Sequence, residues 1–498
     1  MVPLCGLALA GWWVVGRATE ARSAMLDDDL AAKLAGKHWY RVSVMGQAGG
    51  WALYDTTADK GPDGARRLMS TQRLHFSIKL NGQSLSASSE TTVETDASLR
   101  PVKISLAANE LGREKTVLAV VKDHKLEVKT EGGGTTNTRT LDLPADWGSD
   151  LLFSARAAEG KLKPGDTITV SIFDPEVGDF DRHKVTVGEW SEMEIGGEKH
   201  HLLALNDDTE RLNLKIKTFV DAAGVMWRQE VPGIMNLVLE KVSEEAAKAE
   251  GQPLSLSNRV AVDRPVGESR TVAKLKLHAT LTRTPDGAPF PDADRQKCAK
   301  NADGSYTLTV SQDTAPAKAG GWPLTVPDDL KPLTIATAIA QADDEKIKAQ
   351  AQEIVAGKTS AWDAAQAIVD WVFTHMRSVA SEPRPVTATE VMRDMVGDCT
   401  EHALLAGTMA RSVGIPSKMC VGLGYVGDAF YYHAWAKLWV GEWVEMDPTW
   451  GESTVDGTHI EVSEGGLDEM SMAKMSLATA RVLGQLDFKV LDVQRGGQ

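Results

Sequence analysis

The sequence predicts an α+β protein, in which a large antiparallel β-rich N-terminal region precedes a C-terminal domain of helices followed by antiparallel strands. Two periodicities support this prediction. In residues 36–239, apolar side chains tend to recur at every second position, which is typical of half-buried strands. Beyond Leu333 the apolar repeat lengthens to about 3.6 residues, as in helices with one buried face. Because no helical pattern separates the N-terminal strands, their sheet should be antiparallel and strongly curved or barrel-like.

The N-terminal strands are short and are separated by turn-forming residues. In residues 73–80, apolar Leu74, Phe76, Ile78 and Leu80 alternate with polar side chains. The same pattern predicts strands at residues 125–129, 167–172, 184–187, 202–205, 212–216 and 236–239. Asn81-Gly82 is one of the turn signals between them.

We expect five segments along the chain. They are a signal peptide or short anchor (1–24), the antiparallel sheet domain (36–250), a small β-rich region with a linker (251–330), the domain that carries the chemistry (331–460) and a C-terminal extension (461–498). Residues 1–16 are uncharged and apolar but too short for a comfortable membrane span of about 20 residues. The first segment therefore predicts an extracytoplasmic protein, periplasmic or secreted, with membrane or envelope association through the N-terminus.

Local signals place the elements of the C-terminal domain. Thr359 or Ser360 should cap a first helix, and Thr387 with Glu390 has the spacing of a capping box for a second. A third helix should run from Cys399 to about Val413, because Gly-Ile-Pro follows. Strands are predicted at residues 418–426, 430–440 and 443–449.

Composition and charge exclude several classes of function. The net charge of −15 without a basic cluster argues against a nucleic-acid partner. Four widely separated cysteines do not define a disulfide framework. Zinc could be considered at Cys399 and His402 with Cys420 or His433, but structural zinc sites normally use two tight ligand pairs and only one is present. We therefore predict neither a metal nor a cofactor.

Cys399 is the candidate nucleophile. It lies at the start of a predicted helix, directly after Gly397-Asp398, where backbone amides and the helix dipole favour a thiolate. The alternative is a small buried core cysteine. Downstream, His433 lies in a predicted strand and Asp447 in the next one. In a Cys–His–Asp triad, His433 would take the thiol proton and Asp447 would orient the imidazole.

These motifs together resemble the transglutaminase-like superfamily of papain-like thiol enzymes. The matching elements are Gly-Asp-Cys at the helix start, Gly-Ile-Pro, His-Ala-Trp and Trp-Val-Glu-Met-Asp-Pro-Thr, in that order within residues 333–460. The resemblance implies that Cys399, His433 and Asp447 are catalytic. The family often has an aromatic residue upstream of the cysteine to complete the oxyanion site. Residues 377–380 here lack one, so the second oxyanion donor is unassigned.

Two classes of function follow. The first is a thiol-dependent acyl-transfer enzyme acting on a protein or peptide substrate; hydrolysis of peptide or isopeptide bonds is favoured, and amine transfer that cross-links proteins is the alternative. The second is a non-catalytic envelope binding or scaffold protein, because fold alone does not prove activity.

The hairpin register tests the triad. A two-residue turn at Gly441-Glu442 would direct Asp447 away from His433. If Trp439 instead pairs with Trp443 across a three-residue loop, Asp447 becomes a diagonal neighbour of His433 on one face. We therefore predict the three-residue loop or an equivalent bulge. Glu445, on the same face as Asp447, is the competing orienting residue.

Overall fold

The computed structural model describes residues 26–61, 64–80, 83–110, 113–132, 134–249, 254–283, 287–379 and 387–496. The predicted N-terminal segment and the Asn81-Gly82 turn lie outside these residues. The chain divides between Ser255 and Leu256 into two compact units. We call them the N-terminal unit and the C-terminal unit. Among the described residues, no helix combines the length and the apolar character that a membrane span requires.

The N-terminal unit consists mainly of strands. Its strands are β1 (Gly36–Val44), β2 (Gln47–Lys60), β3 (Arg66–Leu80), β4 (Gln83–Thr95), β5 (Pro101–Glu110), β6 (Arg113–Lys122), β7 (Lys125–Gly132), β8 (Thr135–Asp142), β9 (Thr167–Asp174), β10 (Asp179–Ile195), β11 (Glu198–Thr209), β12 (Lys215–Val220), β13 (Met226–Val231) and β14 (Leu237–Val242). Its helices are α1 (Asp28–Leu34), α2 (Leu151–Ala158) and α3 (Glu244–Lys248). A short strand, β15 (Leu254–Leu256), lies at the boundary.

These strands form one large sheet in the order β8-β7-β6-β5-β4-β3-β2-β1-β14-β13-β12-β11-β10-β9. Neighbours along this path are antiparallel, and strand β1 pairs with both β2 and the distant β14. The sheet is curved, because Phe173 of β9 packs in one apolar core with Ile104 of β5 and Leu126 of β7. The predicted antiparallel β-rich region is confirmed.

The described residues of the C-terminal unit mix helices with two larger sheets and one two-stranded sheet. Its strands are β16 (Arg259–Ala261), β17 (Val272–Leu281), β18 (Gln296–Lys300), β19 (Tyr306–Ser311), β20 (Arg377–Ser378), β21 (Val396–Gly397), β22 (Ser417–Val426), β23 (Ala429–Trp439), β24 (Trp443–Met446), β25 (Ile460–Gly465) and β26 (Leu486–Arg495). Its helices are α4 (Glu345–Ile354), α5 (Ala361–His375), α6 (Ala388–Asp394), α7 (Cys399–Ser412) and α8 (Glu469–Ala480), and short 3-10 helices span Ser269–Thr271 and Asp328–Thr334.

One of the two larger sheets of this unit has the order β16-β23-β22-β25, with β24 paired to β23. The other has the order β18-β19-β17-β26. Strand β26 therefore returns from the C-terminal extension to pair with β17 of the small β-rich region, although the sequence pattern separates these two segments. The α+β class predicted for this part of the chain is confirmed.

Helix α7 is the central helix of this unit and is buried along almost its whole length. It packs against β23 and against α4, α5 and α6. The predicted caps of its neighbours are present: the Ser360 side chain accepts from the Asp363 amide, and Thr387 with Glu390 forms a full capping box. The packing fixes the first turn of α7 beside the β22–β23–β24 sheet.

Candidate active site

The first turn of α7 places Cys399 at the helix start. Asp398 is the N-cap, its carboxylate accepting from the Thr400 amide at 3.0 Å, while the Glu401 carboxylate accepts from the Asp398 amide at 2.8 Å. A Cβ at Gly397 would lie 2.4 Å from Cβ of Glu401, so the close approach requires glycine there. Cys399 is 5% exposed. The sequence-predicted helix start is confirmed.

The hairpin of β23 and β24 brings His433 and Asp447 together. Trp439 pairs with Trp443 across the loop Val440-Gly441-Glu442, and Lys437 pairs with Glu445. Gly441 has a φ of 113°, which favours glycine. His433 Nε2 lies 2.7 Å from Asp447 Oδ2. The predicted three-residue loop, and the diagonal placement of Asp447 beside His433, are confirmed.

His433 forms hydrogen bonds on both sides of its ring. Burial lowers its pKa, but the charge and hydrogen bond of Asp447, together with those of Cys399, raise the pKa to about 10. Burial opposes ionisation of Asp447, whereas His433 and then His459 hold the pKa of that carboxyl well below its usual range. Burial raises the pKa of the Cys399 thiol, and the hydrogen bond and charge of His433 lower it. The arrangement favours an imidazolium between two acidic groups.

Asp447 is fixed by four donors. Its Oδ1 accepts from the amides of Thr449 at 2.7 Å and Trp450 at 3.2 Å. Its Oδ2 accepts from His433 and, at 3.3 Å, from Nε2 of His459. Because the carboxylate is fully buried, these bonds determine its orientation. Asp447 can therefore hold one imidazole tautomer of His433.

Glu445 is bound by other groups. Its Oε2 accepts from Arg295 Nε and from the indole Nε1 of Trp435, each at 2.8 Å. Arg295 is also buried, so the two charges compensate each other inside the protein. Glu445 therefore holds the Trp435 indole by a hydrogen bond. The carboxylate that contacts His433 is that of Asp447 and not that of Glu445.

Two further neighbours of His433, Trp450 and His459, are not among the residues that the sequence motifs predict. The Trp450 indole stacks on the His433 imidazole with 4.1 Å between centroids and 9° between planes. His459 is fully buried and contacts both Asp447 and Asp456. Trp450 directly follows the Asp-Pro-Thr motif, so its position three residues after Asp447 is the one clue the sequence offers.

Other polar and aromatic residues of the C-terminal unit have local partners. His402 is buried and its Nδ1 lies 2.7 Å from the Asp398 carbonyl oxygen. Cys420 is fully buried, and burial raises the pKa of its thiol well above the ordinary value. His375, which is exposed, stacks on half-buried Trp371 of the same helix. The second oxyanion donor stays unassigned.

A cleft of about 460 Å³ is lined in part by Trp450. Its lining includes Glu268, Arg270, Tyr425 and Glu452 as well as the indole.

Within the described residues, three groups of side chains bring potential metal ligands within 4.8 Å of one another: His433, Asp447 and His459; Cys420, Glu445 and Glu461; and Glu452, Asp456 and His459. The cleft and the last group share Glu452.

A known family model covers the segment that contains Cys399, His433 and Asp447. Residues 348–448 match the model of the transglutaminase-like superfamily. The C-terminal unit contains a transglutaminase-like core. The superfamily supports a thiol-dependent enzyme, and the match ends one residue beyond Asp447. No curated protein sequence matches the chain.

Solved structures resemble parts of the chain. A candidate cysteine protease from Cytophaga hutchinsonii is 14% identical, with 45% of this chain and 89% of that chain covered and a TM-score of 0.30. A β-barrel-like protein of a domain of unknown function from Brucella abortus is 14% identical, with coverages of 42% and 95% and a TM-score of 0.32. The periplasmic domain of TgpA from Pseudomonas aeruginosa, bound to ethylmercury, is 14% identical, with coverages of 39% and 89% and a TM-score of 0.27.

Proposed function

We propose that the C-terminal unit is a thiol-dependent acyl-transfer enzyme that cleaves peptide or isopeptide amide bonds. The observation that carries this proposal is the position of His433, which is hydrogen-bonded to Cys399 and lies 2.7 Å from a buried aspartate oxygen. Nucleophile, base and orienting acid are the three parts that thiol catalysis needs. The extracytoplasmic location inferred from residues 1–24 remains part of the proposal.

The reaction is a two-step acyl transfer. The Cys399 thiolate attacks the amide carbonyl carbon, and the imidazolium of His433 gives its proton to the leaving amine as the C–N bond breaks and a thioester forms. A water molecule then attacks the thioester, His433 accepts its proton, and the carboxylic acid leaves as the thiolate is restored. The backbone amide of Cys399, at the start of α7, can donate to the oxyanion in both steps.

The acceptor decides between two outcomes of the second step. We favour water, which gives a peptidase or amidase, because it requires no second binding site. A lysine amine in place of water would give protein cross-linking.

Cys399→Ala and Cys399→Ser test the proposal. Both variants should keep the fold and lose turnover, because a hydroxyl is far harder to deprotonate than a thiol. Activity is measured as products released from a mixed peptide and amine library, in which free acids report hydrolysis and amine adducts report transfer. Cys298→Ala is the matched control: this half-buried thiol has its pKa raised to about 11, mainly by burial, and its loss should leave turnover intact.

Labelling separates an enzyme from a scaffold. Iodoacetamide at neutral pH should modify Cys399 faster than a free cysteine, as located by peptide mapping. Slow labelling of Cys399 together with no released product would favour the non-catalytic binding protein. Substantial turnover in either Cys399 variant would exclude Cys399 as the nucleophile.

A further inference from the structure

The loop between β24 and β25 contains a second cluster of buried polar side chains. Glu452, Asp456 and His459 each place a donor atom within 4.8 Å of the other two. Their exposed fractions are 7%, 5% and 0%. All three residues fall in eight consecutive positions, and Glu452 also lines the cleft beside Trp450. The cluster therefore combines burial with a route to solvent.

Each member of this cluster has one atom that no protein group satisfies. These atoms are Glu452 Oε2, Asp456 Oδ2 and His459 Nδ1. The other oxygen of Asp456 is saturated, because Oδ1 accepts from the amide of Thr458 at 2.7 Å and from its hydroxyl at 2.6 Å. Since buried polar atoms are nearly always partnered, three such atoms in one cluster indicate a missing ligand.

The geometry of His459 indicates what that ligand is. Its Nε2 lies 3.3 Å from Asp447 Oδ2, and a neutral histidine that donates from one ring nitrogen to a carboxylate presents a lone pair on the other. His459 Nδ1 lies 3.4 Å from Asp456 Oδ1, the oxygen that Thr458 already holds, so the carboxylate of Asp456 lies beside this nitrogen and its Oδ2 remains for an ion. Imidazole nitrogen and carboxylate oxygen are both ligands that zinc takes.

We propose that Glu452, Asp456 and His459 bind a divalent transition-metal ion, with zinc as the preferred occupant. Two carboxylates and one imidazole form a mixed oxygen and nitrogen set that suits zinc, and manganese should bind the same set more weakly. A fourth position would be open to water from the cleft. The ion would fix the ring of His459, and through it the carboxylate of Asp447. It has no step in the acyl transfer.

This site differs from the zinc arrangement considered from the sequence, which combines Cys399 and His402 with Cys420 or His433. That arrangement requires cysteine ligands, whereas the cluster contains none. Its ligands are spaced by four and three residues in a loop rather than in two tight pairs. The spacing alone does not identify it, because the loop must fold back for the three side chains to meet.

Zinc binding to the full-length Cys399→Ala variant is the test. This background removes the thiolate, which with His433 would otherwise offer zinc a second site. Isothermal titration of the metal-free protein, with metal content checked by mass spectrometry after dialysis, should give one equivalent of bound zinc and weaker binding of manganese. The measurement does not depend on turnover, so it stands whether or not the proposed enzymatic function is correct.

Asp456→Asn in the same background should weaken zinc binding by at least roughly 100-fold, the upper range seen for loss of a supporting residue. The substitution keeps an oxygen for the two Thr458 bonds. Glu461→Gln is the matched control, because Glu461 is a buried carboxylate with an unpartnered oxygen in the separate group with Cys420 and Glu445. It should leave zinc binding unchanged.

Absence of zinc binding in the Cys399→Ala protein would overturn the proposal and leave a proton on His459 Nδ1 as the occupant. Unchanged affinity in Asp456→Asn, or loss of binding in Glu461→Gln alone, would also overturn it by placing the ion elsewhere. If Asp456→Asn fails to fold by circular dichroism, Glu452→Gln provides the same measurement, with the same expected loss.

Discussion

Each unit of the molecule contains a buried histidine–aspartate pair on adjacent antiparallel strands. In the N-terminal unit, His183 Nδ1 of β10 lies 2.9 Å from Asp207 Oδ2 of β11. In the C-terminal unit, His433 of β23 uses its other ring nitrogen: Nε2 lies 2.7 Å from Oδ2 of Asp447, which directly follows β24. Both pairs are diagonal: His183 lies opposite Thr209, two residues beyond Asp207. A search for this geometry alone would select both.

The surroundings distinguish the two pairs. The segment 26–255 contains no cysteine, whereas His433 is also hydrogen-bonded to Cys399 at the start of α7. Burial raises the pKa of Asp207, whereas His433 and His459 overcome burial and hold the pKa of Asp447 low. The comparison teaches that such a pair can be a structural unit of an antiparallel sheet, and that the helix-start thiol beside His433 is what the proposed chemistry adds.

The largest expected difference concerns the two aspartates. Asp447→Asn should lower kcat by about 10⁴-fold, since an amide can stabilise the unproductive tautomer of the imidazole. Asp207→Asn makes the same chemical change in the other diagonal pair and should leave kcat unchanged while lowering stability. Steady-state kinetics on the library-derived substrate and urea denaturation measure the two effects.

Glu445→Gln completes this comparison. Because Glu445 neutralises buried Arg295, its loss should destabilise the C-terminal unit by about 3–5 kcal/mol, the range for breaking a buried ion pair. The folded fraction should retain its kcat. If Glu445→Gln instead abolishes turnover in folded protein while Asp447→Asn is silent, the role of orienting residue passes to Glu445.

The sequence is informative where a contact is set locally. The caps at Ser360 and Thr387 depend on side chains two or three residues from the amides they accept from, so spacing identifies them. The register of Trp439 and Trp443 follows from loop length and from the requirement that His433 and Asp447 share a face. In the N-terminal unit the alternation predicts strands and their buried faces. It cannot predict that β1 pairs with β14, since Trp39 and Val242 are brought together by the whole sheet.

Three residues near the candidate site are not predicted by the sequence: Arg295, Trp450 and His459. Contacts between distant segments or an irregular loop determine where they lie. Arg295 reaches Glu445 across 150 positions of sequence. Trp450 and His459 lie in the loop after β24. This loop has no regular secondary structure, so no sequence periodicity predicts which of its residues meet. The loop closes on itself through a pair of backbone bonds between Asp447 and Glu452. Such a turn becomes visible only in the folded chain.

The protonation of His433 gives a smaller and more specific test. Its pKa of about 10 exceeds the ordinary value of 6.5, so its stabilising effect is fully present below about pH 6.5 and is lost as the pH rises towards 10. Histidine-selective NMR should show His433 charged at pH 8, and Asp447→Asn should move its midpoint down towards the ordinary value. Asp207→Asn should leave this midpoint unchanged. A wild-type midpoint near 6.5 would contradict the ion-pair description.

The smallest expected effect concerns the indole that covers His433. A Cβ at Gly424 would lie 2.4 Å from Cη2 of Trp450 and 3.4 Å from Cδ2 of His433, so Gly424→Ala should displace the stacked ring. Aromatic stacking contributes about 0.5–1.5 kcal/mol, which corresponds to a roughly 2- to 13-fold loss of rate. The loss should appear in kcat with KM nearly unchanged, because the ring holds the base and not the substrate.

Gly321→Ala is the matched control for this substitution, since a Cβ at Gly321 meets no atom within 4 Å. It should retain full kcat. Trp450→Phe should lose less activity than Gly424→Ala, because a phenyl ring can still stack on the imidazole. If kcat is unchanged in Gly424→Ala protein with an intact fold, the stack of Trp450 on His433 is packing alone. The two histidine–aspartate pairs would then differ in function through the thiol only.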